Sequence, residues 1–170
     1  MDPKVLILMG SDSDWEVMSE TRKALDEMGV ASEVHVSSAH RTPERTGKLA
    51  REAAGRGILV VVCGAGAAAH LAGVCAAETE LPVLGVPLAA SDLKGLDALL
   101  STAQMPAGVP VGTLAIGKAG ARNAGLLAAR IVARVDPAVA ARVREQRARM
   151  AREVEAKDAA LQAKLAGERT

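Results

Sequence analysis

The sequence predicts an α/β protein built on a parallel sheet with helices covering both faces. Apolar runs of strand length alternate with segments of helical spacing along the first 135 residues. The run at 58–63, Ile-Leu-Val-Val-Val-Cys, has no polar alternation, which is typical of a strand buried on both faces. Units of strand, helix and strand place their strands parallel. The 170 residues are expected to form a single domain, 1–170, around one core.

A short polar loop joins the first strand to the first helix. Residues 5–9 form the predicted strand, Gly10 lets the backbone turn, and the helix is expected to begin at Trp15. Ser13 and Glu16 have the spacing of a capping box. Free N–H groups at such a helix start, together with serine hydroxyls, can hold a phosphate at the positive end of the helix dipole. The same residues also suit a helix cap without a ligand.

The remaining elements follow from the same patterns. Thr42 and Pro43 have the form of an N-cap and a first helical position, and Pro87 is expected to end the fourth strand. In the second strand, Val34 and Val36 are expected to face inward. Further strands are predicted at 31–37, 58–63, 82–86 and 111–116. Further helices are predicted at 43–55, after the loop at 64–70 as far as about residue 78, at 96–101 and at about 123–135.

Beyond the α/β core of 1–135, the pattern changes to a charged, alanine-rich helix predicted at 137–166. Its apolar residues recur with a period of eleven, which keeps a narrow stripe on one face of a helix. The stripe consists of Val139, Val143, Met150, Val154, Leu161 and Leu165. It suits packing on a neighbouring subunit, and the alternative is a helix that lies back on its own domain.

Composition excludes several classes of function. The chain has no Phe or Tyr and one Trp, which argues against nucleic-acid binding by base stacking. Its formal net charge of +1 gives no global field that would attract a polyanion. The sequence has no membrane-length apolar run and no signal-peptide pattern, so we expect a cytoplasmic protein without membrane contact. Cys63 and Cys75 are expected to be packed thiols rather than a disulfide.

The loops after the first three strands should meet, because the carboxyl ends of parallel strands lie at one edge of a sheet. His40 is the best candidate for proton transfer, since an imidazole titrates near neutral pH. Arg41 offers a planar fork for a phosphate or carboxylate. The residues therefore predict a site for a phosphate-bearing small molecule. Its candidate binding residues are Ser11, Ser13, Asp14 and Arg41.

Other chemistries fit these residues less well. Gly64, Gly66 and Ala69 have the spacing of a dinucleotide fingerprint, but no acidic residue follows at the end of the next strand. The same glycines suit close approach of backbone amides to a small ligand. His70 is either a second polar contact or a packed helix residue. The three histidines and two cysteines lack zinc spacing, so no metal site is predicted.

Five motifs resemble those of one family, the N5-carboxyaminoimidazole ribonucleotide mutases of purine biosynthesis. In order they are GSDSDW at 10–15, SAHRTP at 38–43, GAG with AHL at 64–71, PVLGVP at 82–87 and QMPAGVP at 104–110. The resemblance implies a flavodoxin-like three-layer αβα fold and a homo-octamer in which the last motif of a neighbour closes each site. Ala67 and Ala72 depart from the family, which commonly has Gly and Pro there. A methyl group at position 67 would crowd the site if its φ were positive.

The resemblance also implies a reaction: the carboxylate on the exocyclic nitrogen of the substrate moves to C4 of the imidazole ring, without a metal or cofactor. His40 would protonate the nitrogen as carbon dioxide leaves and would take the C4 proton after carbon dioxide adds again. The alternatives are direct carboxylation of aminoimidazole ribonucleotide with carbon dioxide and a non-catalytic sensor of a phosphoribosyl ligand.

Substrate-binding roles follow by the same resemblance. Ser11, Ser38 and Arg41 would hold the phosphate, and Asp14 would hold the ribose hydroxyls. The backbone of 64–69, which includes Ala65 and Gly66, would hold the base and the migrating carboxyl group. The small-molecule ribonucleotide and further copies of the chain are the expected partners.

Overall fold

The computed structural model describes residues 2–168 and shows a five-stranded parallel sheet between two layers of helices. The strand order is β2-β1-β3-β4-β5. The strands are β1 (Val5–Met9), β2 (Ser32–Val36), β3 (Val60–Gly66), β4 (Val83–Leu88) and β5 (Gly112–Thr113). The helices are α1 (Trp15–Glu27), α2 (Pro43–Arg51), α3 (Leu71–Glu78), α4 (Leu96–Ala103), α5 (Gly117–Val132) and α6 (Pro137–Gly167). The predicted three-layer αβα, flavodoxin-like class with a long C-terminal helix is confirmed.

Side chains of β1 alternate between two apolar cores. Val5 and Ile7 face the layer that contains α1 and α5, whereas Leu6 and Leu8 face the layer that contains α2 and α3. All five β1 residues are buried, as a central parallel strand requires. Helix α4 lies in the α3 layer, because a Cβ added at Gly85 would meet side chains of both helices. Neither core contains an aromatic side chain.

Two cysteines lie in the α3 layer. Cys63 of β3 and Cys75 of α3 are free thiols and both are buried, which confirms the expected packed thiols. Their mutual hydrogen bond and then burial raise the pKa of Cys63 well above its ordinary value, so this sulfur stays protonated at neutral pH.

Helices α1 and α5 approach closely because small residues lie between them. A Cβ added at Gly125 of α5 would lie 2.5 Å from the carbonyl oxygen of Thr21 in α1. The buried Thr21 hydroxyl donates a hydrogen bond of 2.8 Å to the carbonyl of Ala121. The two helices are therefore held by backbone-to-backbone proximity and one buried hydrogen bond.

The prediction that Pro87 ends β4 is wrong. The strand continues to Leu88, and Pro87 pairs in register with Ala65 of β3. The Gly85 carbonyl points toward the β5 side, where it accepts from the N–H of Leu114. Two residues later, the backbone nitrogen of Pro87 points to the same side. The pairing with β5 has ended before that position, so the missing N–H of proline removes no hydrogen bond between strands.

The exposure of Val36 and the start of α5 also differ from the prediction. The side chain of Val36 was expected inside, but it is 46% exposed because β2 is an edge strand that ends beside an open cleft. Helix α5 begins at Gly117, six residues earlier than predicted. Gly117 has a φ of +76°, and Lys118 pairs with Glu16 of α1 at 2.9 Å. The glycines of this first turn resemble a loop in the sequence, and the exposed ion pair contributes little to its stability.

Helix α6 begins at Pro137, where the carboxylate of Asp136 accepts hydrogen bonds from the first turn. Val139 and Val143 pack on the α1 and α5 layer, so the start of the helix lies against its own domain. The remaining four members of the apolar stripe, Met150, Val154, Leu161 and Leu165, are exposed. In the described part of the chain, no helix has the length and apolar character needed to cross a bilayer.

Candidate active site

The loop between β1 and α1 is closed by a capping box, but not the predicted one. The Ser11 N–H donates to the carboxylate of Asp14 at 3.0 Å, and the Ser13 N–H donates to the Ser11 hydroxyl at 3.4 Å. This box surrounds a short 3₁₀ turn at 12–14, and α1 continues directly from it at Trp15. The predicted pair of Ser13 and Glu16 is therefore wrong, because the turn moves the cap two residues earlier.

Asp14 sits half-buried at the floor of this loop. Burial raises the pKa of its carboxyl above the ordinary value of 3.8, against the opposing effect of hydrogen bonds from the N–H groups of Ser11 and Gly10. The loop thus holds a carboxylate with two backbone donors, and Asp14 is partly shielded from water.

This raised pKa predicts a pH dependence of stability. Between pH 3.8 and the higher native pKa, the folded protein binds more protons at Asp14 than the unfolded chain does. The stability of wild type relative to Asp14→Asn should therefore fall as pH rises through this window. Urea denaturation of both proteins from about pH 4 to pH 7 measures the difference. A difference that stays constant or grows with pH would contradict the assignment.

The loop after β2 is folded by its own hydroxyl groups. The N–H of Ser38 donates to the Thr42 hydroxyl at 3.0 Å, and the Thr42 hydroxyl donates back to the Ser38 carbonyl at 3.0 Å. The Arg41 N–H donates to the Ser38 hydroxyl at 3.2 Å. The guanidinium of Arg41 reaches the first loop, where it donates to the Gly10 carbonyl at 2.9 Å. Arg41 thus joins two of the three loops.

The loop after β3 turns tightly at Ala67, whose φ is +50°. Residues with a Cβ rarely adopt this conformation. The family commonly has Gly at this position, and a methyl group was expected to crowd the site if φ were positive. Ala67 has a positive φ and lines the cleft, so this condition is met. The segment is held by hydrogen bonds of 2.8 Å from the Ala69 N–H to the Ala67 carbonyl and from the His70 N–H to the Ala68 carbonyl.

Ala67→Gly should stabilise the protein by about 0.5–1 kcal/mol, because glycine adopts a positive φ without steric cost. Equilibrium denaturation measures the gain. Ala68→Gly is the matched control, since Ala68 lacks a positive φ, and it should destabilise by about 0.4–1 kcal/mol. Equal effects of the two substitutions would contradict a strained Ala67.

The second and third loops meet through two histidines. His40 Nε2 lies 2.8 Å from His70 Nδ1, and the rings are edge-to-face with centroids 5.0 Å apart. One of these nitrogens must carry the shared proton and the other must accept it. His70 precedes α3 and is exposed rather than packed. The other ring nitrogen of His40 lies outside this hydrogen bond.

All nine residues predicted for the site line one cleft of about 370 Å³. They are Ser11, Ser13, Asp14, Ser38, His40, Arg41, Ala65, Gly66 and His70. A second lobe of about 360 Å³ adjoins it, and both lobes share Gly10, Ser11, Ser38 and Arg41. Hydroxyls and a guanidinium line both lobes, and the histidine pair lies in the first. This set can bind an anion and transfer a proton.

Ala90 also lines the cleft, although it was not predicted from the sequence. Ala90 follows β4, whose carboxyl end lies at the same sheet edge as the other three loops. The position of Ala90 after a parallel strand could have identified it as a residue of the site. It was missed because β4 was expected to end at Pro87. Within residues 2–168, no three His, Cys, Asp or Glu side chains are grouped in a way that could hold a metal ion.

Comparison with known proteins places the chain in a family. A family model described as AIR carboxylase matches residues 4–153. The chain is 54% identical over 168 residues to the N5-carboxyaminoimidazole ribonucleotide mutase of Mycobacterium tuberculosis strain H37Rv, covering 99% of this chain and 95% of the relative. It is 54% identical over 147 residues to the Bacillus subtilis mutase, covering 86% and 91% of the two chains.

A solved structure agrees with the sequence relatives. The crystal structure of Treponema denticola PurE superposes with a TM-score of 0.84 at 26% identity, covering 92% of this chain and 97% of that one. The resemblance inferred from the five motifs is confirmed. The chain belongs to the AIR carboxylase family.

Proposed function

We propose that the protein converts N5-carboxyaminoimidazole ribonucleotide into 4-carboxy-5-aminoimidazole ribonucleotide in purine biosynthesis. The observation that carries the proposal is the cleft in which His40, hydrogen-bonded to His70, lies beside the Ser11, Ser38 and Arg41 groups. Relatives that are 54% identical and named as mutases supply the identity of the substrate.

In this reaction His40 acts first as an acid and then as a base. It donates a proton to the exocyclic nitrogen as the bond between nitrogen and carboxyl carbon breaks and carbon dioxide leaves. The C4 carbon then forms a bond to the retained carbon dioxide, and His40 takes the C4 proton. The proton returns to its origin, so the reaction needs no net acid or base. The hydrogen bond to His70 holds the His40 ring in a fixed orientation at the cleft.

The binding groups divide between the two lobes. Ser11, Ser38 and Arg41 are shared by both lobes and would hold the phosphate, for which a guanidinium and hydroxyls are suitable donors. Asp14 lines the first lobe only and would accept hydrogen bonds from the ribose hydroxyls. The backbone of 64–69 would contact the base and the carboxyl group. Ser13, whose hydroxyl donates to Ser11 at 2.9 Å, would orient the Ser11 hydroxyl.

The first test is incubation with N5-carboxyaminoimidazole ribonucleotide, without ATP or added bicarbonate, while the 4-carboxy product is followed. We expect faster formation from this substrate than from aminoimidazole ribonucleotide plus carbon dioxide. No product from either substrate would overturn the proposal and favour the ligand sensor.

Direct carboxylation of aminoimidazole ribonucleotide is the second candidate, and the description of the matching family model favours it. The two activities differ in the source of carbon dioxide. Product formed only from aminoimidazole ribonucleotide and free carbon dioxide would identify the direct carboxylase.

A cytoplasmic homo-octamer is part of the proposal. Exposed leucines on and before α4, namely Leu93, Leu96 and Leu100, precede the segment 104–110 that a neighbouring subunit would present to the site. The free stripe of α6 offers a further apolar surface. Burial of both surfaces between copies would remove apolar side chains from water.

Substitution of the α6 stripe tests this assembly. Replacing Met150, Val154, Leu161 and Leu165 by glutamine should lower the assembled mass in sedimentation velocity, because the apolar contact is lost. A matched control places glutamine on the opposite helix face, at Arg152, Ala156, Ala159 and Ala163, and should keep the wild-type mass. An unchanged mass for the stripe variant would show that α6 does not pack between subunits.

A further inference from the structure

Helix α4 is tied to two walls of the cleft by polar side chains one helical turn apart. Ser101 reaches the loop after β3, and Asp97 reaches the loop after β4. Neither residue lines the cleft, and neither belongs to the binding set described above. Residues four apart lie on the same face of a helix, so one face of α4 contacts both loops.

The Ser101 contact is directional. The N–H of Ala69 donates to the Ser101 hydroxyl oxygen at 3.1 Å. The hydroxyl proton has its nearest acceptor within α4, the Asp97 carbonyl at 2.9 Å. The serine oxygen is therefore presented to Ala69 as an acceptor. The Ala69 N–H is shared between Ser101 and the Ala67 carbonyl, which lies at 2.8 Å. Because Ala69 is 1% exposed, water cannot readily take the place of Ser101, and without it this N–H is held by the tight turn of its own loop. The contact lies between the strained Ala67 and His70.

The Asp97 contact holds the second wall, the loop after β4. The Ser91 hydroxyl donates to the Asp97 carboxylate at 2.6 Å, and the Leu93 N–H donates to the Ser91 hydroxyl at 3.2 Å. Ser91 follows directly after the cleft-lining Ala90. The hydrogen bond from Ser91 lowers the pKa of Asp97, so a charged acceptor is maintained at neutral pH.

The two walls also touch each other. A Cβ added at Gly66 would collide with the Cβ of Ala90 and come within 3.3 Å of the Leu88 carbonyl oxygen. The loops therefore abut without space between them. Displacement of one wall must move the other or open a gap at this seam.

We propose that Asp97 and Ser101 are positioning residues that hold these two walls closed on the carbon dioxide released during the reaction. The inference rests on the proposed function, since only a mechanism that passes through free carbon dioxide requires the walls to retain it. The seam that α4 controls consists of Gly66, which has no side chain, and Ala90, whose methyl group is too small to seal a gap. Loss of either anchor should let carbon dioxide escape and leave aminoimidazole ribonucleotide behind.

The anchor itself can be tested without turnover. Amide hydrogen exchange of the full-length protein should be about fivefold faster across 64–70 in Ser101→Ala, which is the factor for losing one neutral hydrogen bond. Ser101→Thr keeps the hydroxyl and should restore the slow exchange. Ser19→Ala is the matched control, since the Ser19 hydroxyl donates to the Glu16 carbonyl of its own helix. Unchanged exchange in Ser101→Ala would overturn the proposal.

The consequence is tested by product partition. Wild type and variants receive N5-carboxyaminoimidazole ribonucleotide, and the ratio of aminoimidazole ribonucleotide to 4-carboxy product is measured after correction for the uncatalysed decarboxylation. The ratio should rise about fivefold in Ser101→Ala and in Asp97→Ala and should return toward wild type in Ser101→Thr. A merely destabilised enzyme would lose active protein at an unchanged ratio, and that result would overturn the retention role.

The two proposals fail in different ways. If wild type forms no 4-carboxy product, the proposed function is wrong, and this is seen before any variant is compared. If wild type is a mutase but Ser101→Ala keeps its exchange rate, or both variants keep its partition ratio, only the α4 proposal is wrong.

Discussion

His40→Asn is expected to lower the turnover of N5-carboxyaminoimidazole ribonucleotide by about 10²–10⁴-fold, the usual contribution of a general acid–base group. Asparagine can replace a hydrogen bond but cannot donate and recover a proton at neutral pH. The exposed position of His40 means that the fold should tolerate the change. Steady-state kinetics give kcat and KM, and the loss should fall mainly on kcat.

His35→Asn is the matched control for this substitution. His35 lies on the edge strand β2 and lines neither lobe of the cleft, so its replacement should leave turnover near that of wild type. If His40→Asn binds the substrate and keeps full turnover, the acid–base assignment is wrong. A loss of equal size in both variants would instead indicate damage to the fold.

Gly125→Ala should destabilise the protein by about 1–3 kcal/mol, because the new methyl group would overpack a close helix contact. The added Cβ would lie 2.5 Å from the Thr21 carbonyl oxygen and 2.8 Å from the Cβ of Ala24. The first of these is backbone, which cannot move aside without shifting α1. Thermal unfolding should show a loss in Tm of about 2–4 °C for each kcal/mol in a chain of this size.

Gly55→Ala provides the control for the glycine series. An added Cβ there meets no atom within 4 Å, and Gly55 lacks a positive φ. Alanine should therefore leave stability unchanged or raise it by about 0.4–1 kcal/mol through the unfolded chain. A Tm for Gly125→Ala equal to that of Gly55→Ala would contradict tight packing of α1 on α5.

The sheet and the meeting of three loops were predictable because both depend on strong, short-range patterns. Apolar runs without alternation identified the buried strands, and the rule for parallel sheets brought the polar loops to one edge. The nine site residues, chosen from these loops and from the family resemblance, line one cleft. Their chemical roles stay predictions until the substrate assays are made.

The remaining features depend on contacts between residues distant in sequence. His40 and His70 are 30 positions apart, and nothing local specifies a hydrogen bond between them. Ser101 contacts a loop 32 positions earlier, without a motif that would identify it. Pro87 was expected to break a strand, yet it is tolerated because β5 ends before reaching it. Propensity describes a residue alone, whereas these outcomes depend on its neighbour in the fold.

The position of Trp15 gives the protein a built-in optical probe. It is the sole residue among Phe, Tyr and Trp in the chain, and it follows Asp14 directly at the start of α1. Intrinsic fluorescence therefore arises from one indole, 37% exposed, adjacent in sequence to a cleft-lining carboxylate. No tyrosine contributes to the emission or transfers energy to it. Changes in intensity or wavelength can be assigned to this loop, which allows ligand titrations on the unlabelled protein and its variants.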